Sequence, residues 1–485
     1  MRIPHPLPLL SLSLTCLTFV AQAEPIALGS RLELLTDEML VAEIRGDLDH
    51  HLHQPEPREV VLTADAPWEG NTSGYFTLFQ DGDLYRMYYR GWAHDPATQR
   101  ELRSEVTCYA ESDDGIRWRK PELGLHDFEG SKANNIILRD GDAVHNFTPF
   151  KDTNPNCPPE SRYKALGSAA EKSRHGLIYF RSADGIHWVR DRSEPLIVAG
   201  AFDSQNLAFW DGQRGEYRAY WRIFTDGVAD GREWKPKGFR AIRTATSRDF
   251  LTWEPHHDVQ YAEGVPDQHL YTNAVLPHPR APHLFIGFPT RYLPDEGHRV
   301  EPVLMTSRDG LNFVRHAAPV IPESAPADRK GNRSNYMAWG LLSLPGKPDE
   351  LSVYATEAYL GTTPGRLRRF VYRLDGFVSL RAPVDGDGGE MVTKPLTFTG
   401  DRLVVNVKPL SEAGSVRVAL LDESGKALPG FSLEDAVPIT RDATGAVVAW
   451  QSQPDLAALA GQPVRLRIAL READLFSIQF TSESQ

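Results

Sequence analysis

Along this chain, apolar and polar residues alternate in short runs, and no long stretch repeats them at helical spacing. Residues 75–79 and 84–90 form two such runs around Asp81-Gly82-Asp83, and 206–210 and 217–222 form two more around Gly212 to Gly215. Residues 271–276 and 284–289 follow the same plan, as do 337–344, 351–356 and 367–372. Runs of this length separated by turn residues predict strands, so the chain reads as all-β.

The strands are organised by a repeat. Ser112-Asp113-Asp114-Gly115 is followed by Trp118, Ser182-Ala183-Asp184-Gly185 by Trp188, Ser247-Arg248-Asp249-Phe250 by Trp253, and Ser307-Arg308-Asp309-Gly310 by Phe313. A weaker copy is Leu374-Asp375-Gly376-Phe377. The aspartates recur at intervals of 70, 65, 60 and 66 residues. Asp-Gly after a strand predicts a hairpin, because glycine accepts positive φ at low cost. The aromatic residue beyond it is placed to anchor an outer strand on its neighbour. A period near 65 accommodates four strands and their loops, which is one propeller blade. The expected architecture is a five-bladed β-propeller over residues 55–382, with residues 59–63 as a closing strand. The Gly-rich stretch 384–389 marks a boundary, and the short strands of 385–485 predict a C-terminal β-sandwich. Residues 24–54 read as an N-terminal extension.

The first 23 residues read as a cleavable export signal. Arg2 is the one charge before Glu24, an apolar run follows, and Ala21-Gln22-Ala23 is a small-x-small cleavage site. Export sets a periplasmic or extracellular location. It permits a Cys108–Cys157 disulfide, although two free thiols are the reading preferred here. The formal charge is −12 for the whole chain, and loss of Arg2 with the signal makes it −13. Such an acidic protein is a poor partner for nucleic acid or anionic lipid. Asn71, Asn146 and Asn332 stand in glycosylation sequons. There is no phosphate-binding glycine loop and no cysteine cluster for zinc, so no cofactor or metal is expected. His50-His51-Leu52-His53 reads as a solvated segment before the first blade.

In a propeller, the first strand of each blade lines a central channel, and residues at its entry end face a funnel. The segments at these places are polar: Trp68-Glu69-Gly70-Asn71, the stretch from His145 to Asn154, Phe202 to Asn206, Asp267 to Asn273, and Asn332 to Tyr336. Cleaving a glycosidic bond takes two carboxyl groups, one donating a proton and the other attacking or activating water. Asp203, Asp152 and Glu69 are the catalytic candidates, in that order. Trp68, Asn146, Asn206 and Arg222 are candidates for binding substrate, with Asp267, His269 and Tyr271 from the fourth unit. Arg291, Asn335, Trp339 and Glu357 complete that set. Each acid has a plainer role open to it, as a cap on a turn.

The Ser-x-Asp-Gly-x-x-Trp segments and the acids at strand starts resemble the five-bladed propeller glycosidases, the invertase-like family 32 and arabinanase-like family 43 enzymes, over residues 60–380. The chain looks like exported family 32-like bacterial proteins. The resemblance implies the fold, a C-terminal sandwich and a plant or algal glycan as substrate. It does not carry over catalytic residues. The family 32 Asn-Asp-Pro segment is replaced by Trp68-Glu69-Gly70-Asn71, and the nearest counterparts of its other two signatures are Lys151-Asp152-Thr153 and Asp203-Ser204. Three functions follow from these features: an exported glycoside hydrolase, a non-catalytic glycan-binding propeller, or a protein-binding scaffold.

Overall fold

The computed structural model describes residues 24–98, 100–169, 175–229, 233–322 and 336–482. The expected signal, Asn332 and Asn335 lie outside them. Apart from two short 3-10 turns, the regular structure of the described residues is β.

Five sheets succeed one another along the chain, antiparallel except that Gln260–Tyr261 pairs parallel to Asn312–Pro319 in the fourth. The first contains Gly74–Asp81, Leu84–Gly91, Val106–Ser112 and Ile136–Arg139 in spatial order. The second runs from Thr148–Lys151 to Val189–Arg190 and the third from Leu207–Asp211 to His257–Asp258. The fourth is larger, with seven strands between Gln260–Tyr261 and Asn312–Pro319. The fifth pairs Glu350–Glu357 with Arg366–Arg373, and Arg366–Arg373 with Glu56–Thr63 from the start of the chain.

The middle strands of these sheets are buried on both faces, as in Val106–Ser112, because the sheets stack on one another. Tyr88, Tyr109 and Ile137 of the first sheet share a core with Phe147, Ala165 and Ile178 of the second. A larger core joins the second sheet to the third, fourth and fifth through Tyr179, Trp221, Phe285, Met305 and Val353. Phe76 and Tyr89 of the first sheet then pack with Leu62, Tyr354 and Leu367 of the fifth.

The repeated segments join these sheets. They are seven-residue loops rather than two-residue hairpins: the bridge Glu111–Arg119 closes one of them. In each of the four strong copies the serine hydroxyl donates to the aspartate, whose Oδ1 also accepts two backbone N–H bonds, as from Ile186 and His187 to Asp184 at 2.8 Å each. The carbonyl at the glycine position accepts a tyrosine hydroxyl from the adjacent sheet: Tyr354 on Gly115, Tyr88 on Gly185 and Tyr220 on Gly310. Gly115, Gly185 and Gly310 have φ of 70–78°. A Cβ on Gly115 would lie 2.4 Å from Leu344, so both backbone and space call for glycine there. Asp184→Ala is expected to cost about 1–2 kcal/mol, in line with other capping losses, measured by urea unfolding. Burial would raise the pKa of each loop aspartate, but the backbone N–H bonds, preceded at Asp309 by the Asn312 amide, outweigh it and hold all four below the usual carboxylate range. Their contribution is therefore full above the unfolded value, roughly pH 4, and is lost as pH falls through the folded one.

Beyond these sheets, two others close over one core. Arg402–Pro409, Ala473–Thr481 and Val378–Ala382 belong to a six-stranded sheet, and Gly389–Thr393, Ser415–Leu421 and Arg465–Arg471 to a four-stranded one. Val405, Leu475 and Ile478 of one meet Met391, Val418 and Ile468 of the other. The N-terminal strands are part of this body rather than an extension. Asp49–Leu52 pairs with Val378–Ala382, Glu33–Leu34 with Ala473–Thr481, and Val41–Gly46 with Gly389–Thr393. Their unpaired edges find partners here that short-range sequence does not signal. Residues 378–382, expected in the propeller, pair here too. His50 to Leu52 lie in one of these strands and are half-buried, which corrects their reading as a solvated segment. His53 bonds Ser379 at 2.9 Å. Cys108 and Cys157 are free thiols.

Candidate functional site

Asp203 stands in a turn just before the strand Leu207–Asp211. Asn206 donates to the carbonyls of Phe202 and Ser204 at 2.8 and 3.0 Å, and Asn146 donates to the same two carbonyls. Ser204 in turn donates to the carbonyl of Tyr271 at 2.6 Å. Two buried amides and a hydroxyl thus fix the backbone on either side of Asp203 and tie it to the fourth sheet. Asn146 and Asn206 were expected to bind substrate; they are buried supports of the turn. Asn71 is also buried, with two backbone carbonyls as partners, so neither of these sequons is open to modification in the folded chain.

The Asp203 side chain is 59% exposed and lines a cavity of about 320 Å³. That volume is at the small end of ligand pockets, roughly 300–1,000 Å³. Its walls are largely aromatic: Tyr75, Trp92, Tyr271, Tyr336 and Tyr359, with Arg90, His94 and His145. The hydroxyls of Tyr75 and Tyr271 each donate to Asp203 at 3.1 Å. His145 Nε2 lies 3.0 Å from Asp203 Oδ1, while its Nδ1 lies 2.8 Å from Glu105. Arg222 is buried, 3.9 Å from the other Asp203 oxygen, with its guanidinium 4.7 Å from the Tyr271 ring.

These contacts set the charges. Burial would raise Asp203, but the His145 hydrogen bond and the charges of Arg222, His145 and Arg90 hold it far below the ordinary carboxylate range. Burial and Arg90 would lower His145; its bonds to Asp203 and Glu105 prevail and raise it. The His145 ring stands between two carboxylates, which favour its charged form. Burial, then Asp203, pushes Tyr271 up to about 12, so its hydroxyl remains a donor. His94 goes the other way: burial and Arg90 lower it, leaving a neutral ring whose Nδ1 meets Thr72 Oγ1 at 3.1 Å. Its N–H bond to Asn71 holds its backbone in place. His145 is expected to titrate above 6.5 by NMR and to fall in Asp203→Asn. Because its folded value is raised, the stability it contributes is complete below about 6.5 and disappears as pH rises through the folded value.

The other expected catalytic acids do not reach this pocket. Asp152 is buried against Lys164 and accepts from the Tyr217 hydroxyl at 2.7 Å. Glu69 is buried with Lys120 Nζ at 2.6 Å and also accepts from Tyr89. Both are internal ion pairs, closed to a substrate. Glu357 is likewise buried, between Arg366 and Arg368. Arg291 pairs with buried Glu301. Trp68 packs on Phe128 and donates to Asn135, and Asp267 sits exposed in a loop. Trp339 donates to the Val275 carbonyl and lines a second cavity at the opposite ends of the first strands, together with Phe79, Trp210 and Pro277. His269 accepts from the backbone of Arg240, outside the pocket wall. Of the expected set, Asp203 and Tyr271 line the pocket and Arg222 backs it.

Tyr75, Arg90, Trp92, His94, His145, Tyr336 and Tyr359 were not among the sequence candidates. Arg90 to His94 span the end of the strand Leu84–Gly91 in the first sheet, and Thr356 to Tyr359 the end of Glu350–Glu357 in the fifth. In an antiparallel pair the end of the second strand lies beside the start of the first, as Gly74 opposite Arg90 shows. The positive φ of Tyr75, 53°, is an uncommon backbone state for a large residue and turns the chain at the pocket wall. Among the described residues, no group of three or more His, Cys, Asp or Glu side chains is placed to hold a metal ion.

No family model matches the chain, and no curated protein does. Solved structures do match. The chain is similar to glycoside hydrolases. One, described simply as a glycoside hydrolase, is 12% identical with a TM-score of 0.44, over 67% of this chain and 93% of that one. A glycoside hydrolase family 43 arabinoxylan arabinofuranohydrolase from Bacillus subtilis is 11% identical with a TM-score of 0.40, over 88% and 99%. The catalytic domain of a GH62 α-L-arabinofuranosidase from Coprinopsis cinerea is 8% identical with a TM-score of 0.41, over 66% and 97%.

Proposed function

We propose that the chain is an exported glycan-processing enzyme, a five-bladed β-propeller with a β-sandwich beside it, that cleaves O-glycosyl bonds at the Asp203 pocket. The observation that supports this is Asp203 itself: one ionised carboxylate, held by His145, Tyr75 and Tyr271, in an aromatic-walled cavity about the size for a single sugar unit. Aromatic faces suit the apolar faces of a sugar ring, and the hydroxyls and imidazoles suit its edges. Asp203 faces the positive charge that develops at the anomeric carbon, or attacks it. His145, whose bonds to Asp203 and Glu105 favour its charged form, gives its Nε2 proton to the leaving oxygen by exchanging the Asp203 bond for one to the substrate, and Glu105 keeps Nδ1. This replaces the expected pair of carboxylates with a carboxylate and an imidazolium.

The binding-only reading draws on a specific observation as well. Both Asp203 oxygens already accept hydrogen bonds, and among the described residues no second carboxylate lines the wall. A panel of plant and algal oligosaccharides separates the two. Release of reducing ends supports the enzyme, whereas affinity without release across the panel supports the binding protein. Absence of both overturns the glycan reading.

A further inference from the structure

Arg90 lines the pocket and is 3% exposed, yet it touches no carboxylate. Its guanidinium donates to the Thr72 carbonyl at 3.0 Å and the Tyr359 hydroxyl at 2.9 Å, and its Nε has no acceptor among the described residues. Its centre lies 4.7 Å from the rings of both Tyr75 and Trp92. Burial works against its charge, and Tyr359, Tyr75, Glu105 and Asp203 sustain it by their fields rather than by direct contact; the His145 ring lies within 3.3 Å of it. Asp203 and Glu105 are both engaged by His145, and Asp203 by Arg222 as well. The pocket thus gathers Arg90, Arg222 and His145 around Asp203 and Glu105, with Glu101 on the Trp92 indole, and leaves the Arg90 Nε unpartnered among the described residues.

A second feature leads out of the pocket. Glu216–Ala229 and Trp234–Ser247 form a hairpin whose pairing runs out to Ala229 opposite Trp234. Its outer half carries exposed aromatic residues, Trp234 at 54% and Phe239 at 36%. It borders the site on two sides. Trp234 lies 6.3 Å from His175, itself 4.9 Å from Phe202 beside Asp203. Arg240 stands 5.5 Å from the ring of Tyr271, a pocket residue. The return strand from Trp234 to Arg240 carries Lys235, Lys237 and Arg240 and no acid; the sequence before it holds Asp226, Asp230 and Glu233, the last paired with Lys235.

We propose that the ligand is an acidic glycan, bearing carboxylate or sulfate groups, whose end unit places an anionic substituent at Arg90 and whose next units lie along this hairpin. The inference rests on the glycan reading above. It follows from a buried guanidinium in the pocket wall whose Nε has no partner among the described residues, and from exposed aromatic and basic residues on a hairpin that meets the pocket at Arg240 beside Tyr271. Electrostatic attraction into a concave site raises both encounter rate and selectivity, and exposed rings next to lysines suit sugar faces that alternate with anionic groups.

The test is calorimetry of the full chain with acidic oligosaccharides of several linkages, uronate and sulfated, each beside its carboxyl-reduced or desulfated counterpart. The expected result is that one acidic series binds at least about ten-fold more tightly than its neutral partner, as a charge-assisted contact provides, and that added salt erodes the difference. The uronate and sulfate arms identify which anion is read. Trp234→Ala with Phe239→Ala is expected to weaken a tetrasaccharide more than a monosaccharide, with the circular dichroism spectrum retained. Equal affinity for acidic and neutral partners overturns the acidic assignment and leaves the pocket reading standing. Failure of every oligosaccharide to bind overturns the glycan reading itself. An arm variant that changes oligomeric state but not tetrasaccharide affinity assigns the hairpin to a second copy of the chain and removes it from the site.

Discussion

Replacing Asp203 by Asn is expected to lower turnover by about 10²–10⁴-fold, the usual worth of a group that acts on the reacting bond, while the protein unfolds at nearly the same denaturant concentration. The side chain keeps its size and remains in a turn fixed by Asn146, Asn206 and Ser204, none of which touches the carboxylate. What disappears is a negative charge at the pocket wall and the partner that keeps His145 protonated. Both halves of the proposed chemistry fail together, so the rate should fall much further than the affinity for intact substrate. Turnover at the wild-type level would remove Asp203 from the chemistry and leave the pocket as a binding site.

A second substitution should act on stability rather than rate. Lys164→Met leaves Asp152 as a buried carboxylate supported mainly by the Tyr217 hydroxyl and the Asn154 N–H. Breaking such a pair by removing one partner typically costs about 3–5 kcal/mol. Asp152→Asn in the same chain should recover part of the loss, since no unpaired charge then remains inside. Equilibrium urea unfolding of the single and double variants measures the difference. The folded fraction of each should turn over substrate at the wild-type rate, because neither residue reaches the pocket. A loss of rate per folded molecule would return Asp152 to the chemistry.

Asp152, Glu69 and Asp203 read alike in the sequence pattern, but Asp152 follows the strand Thr148–Lys151 and so lies at its far end, while Glu69 and Asp203 precede Gly74–Asp81 and Leu207–Asp211. The acids also differ in depth. Lys164 lies on the strand Tyr163–Ser168 beside Thr148–Lys151, and Lys120 lies 51 residues beyond Glu69, so each finds its acid only when the sheets are formed. Asp203 has no lysine of this kind and remains open. The repeat, by contrast, was legible because its chemistry is local: serine, aspartate, glycine and the backbone between them make most of each loop's hydrogen bonds. The tyrosines that complete the junctions come from neighbouring sheets and carry no such mark. The same holds for the N-terminal strands, whose pairing partners lie more than 300 residues away.

That last pairing governs the order in which the molecule can be finished. Glu56–Thr63 has no partner until Arg366–Arg373 has been synthesised, and Glu33–Leu34 has none until Ala473–Thr481 has. A growing chain therefore holds its first strands open for nearly the whole of its synthesis, with unsatisfied edges that invite association with other chains. Long-range pairing of this kind is slow as well as late. A protein built this way is assembled from both ends at once at the last moment, and the interval before that moment is when it most needs protection from its neighbours.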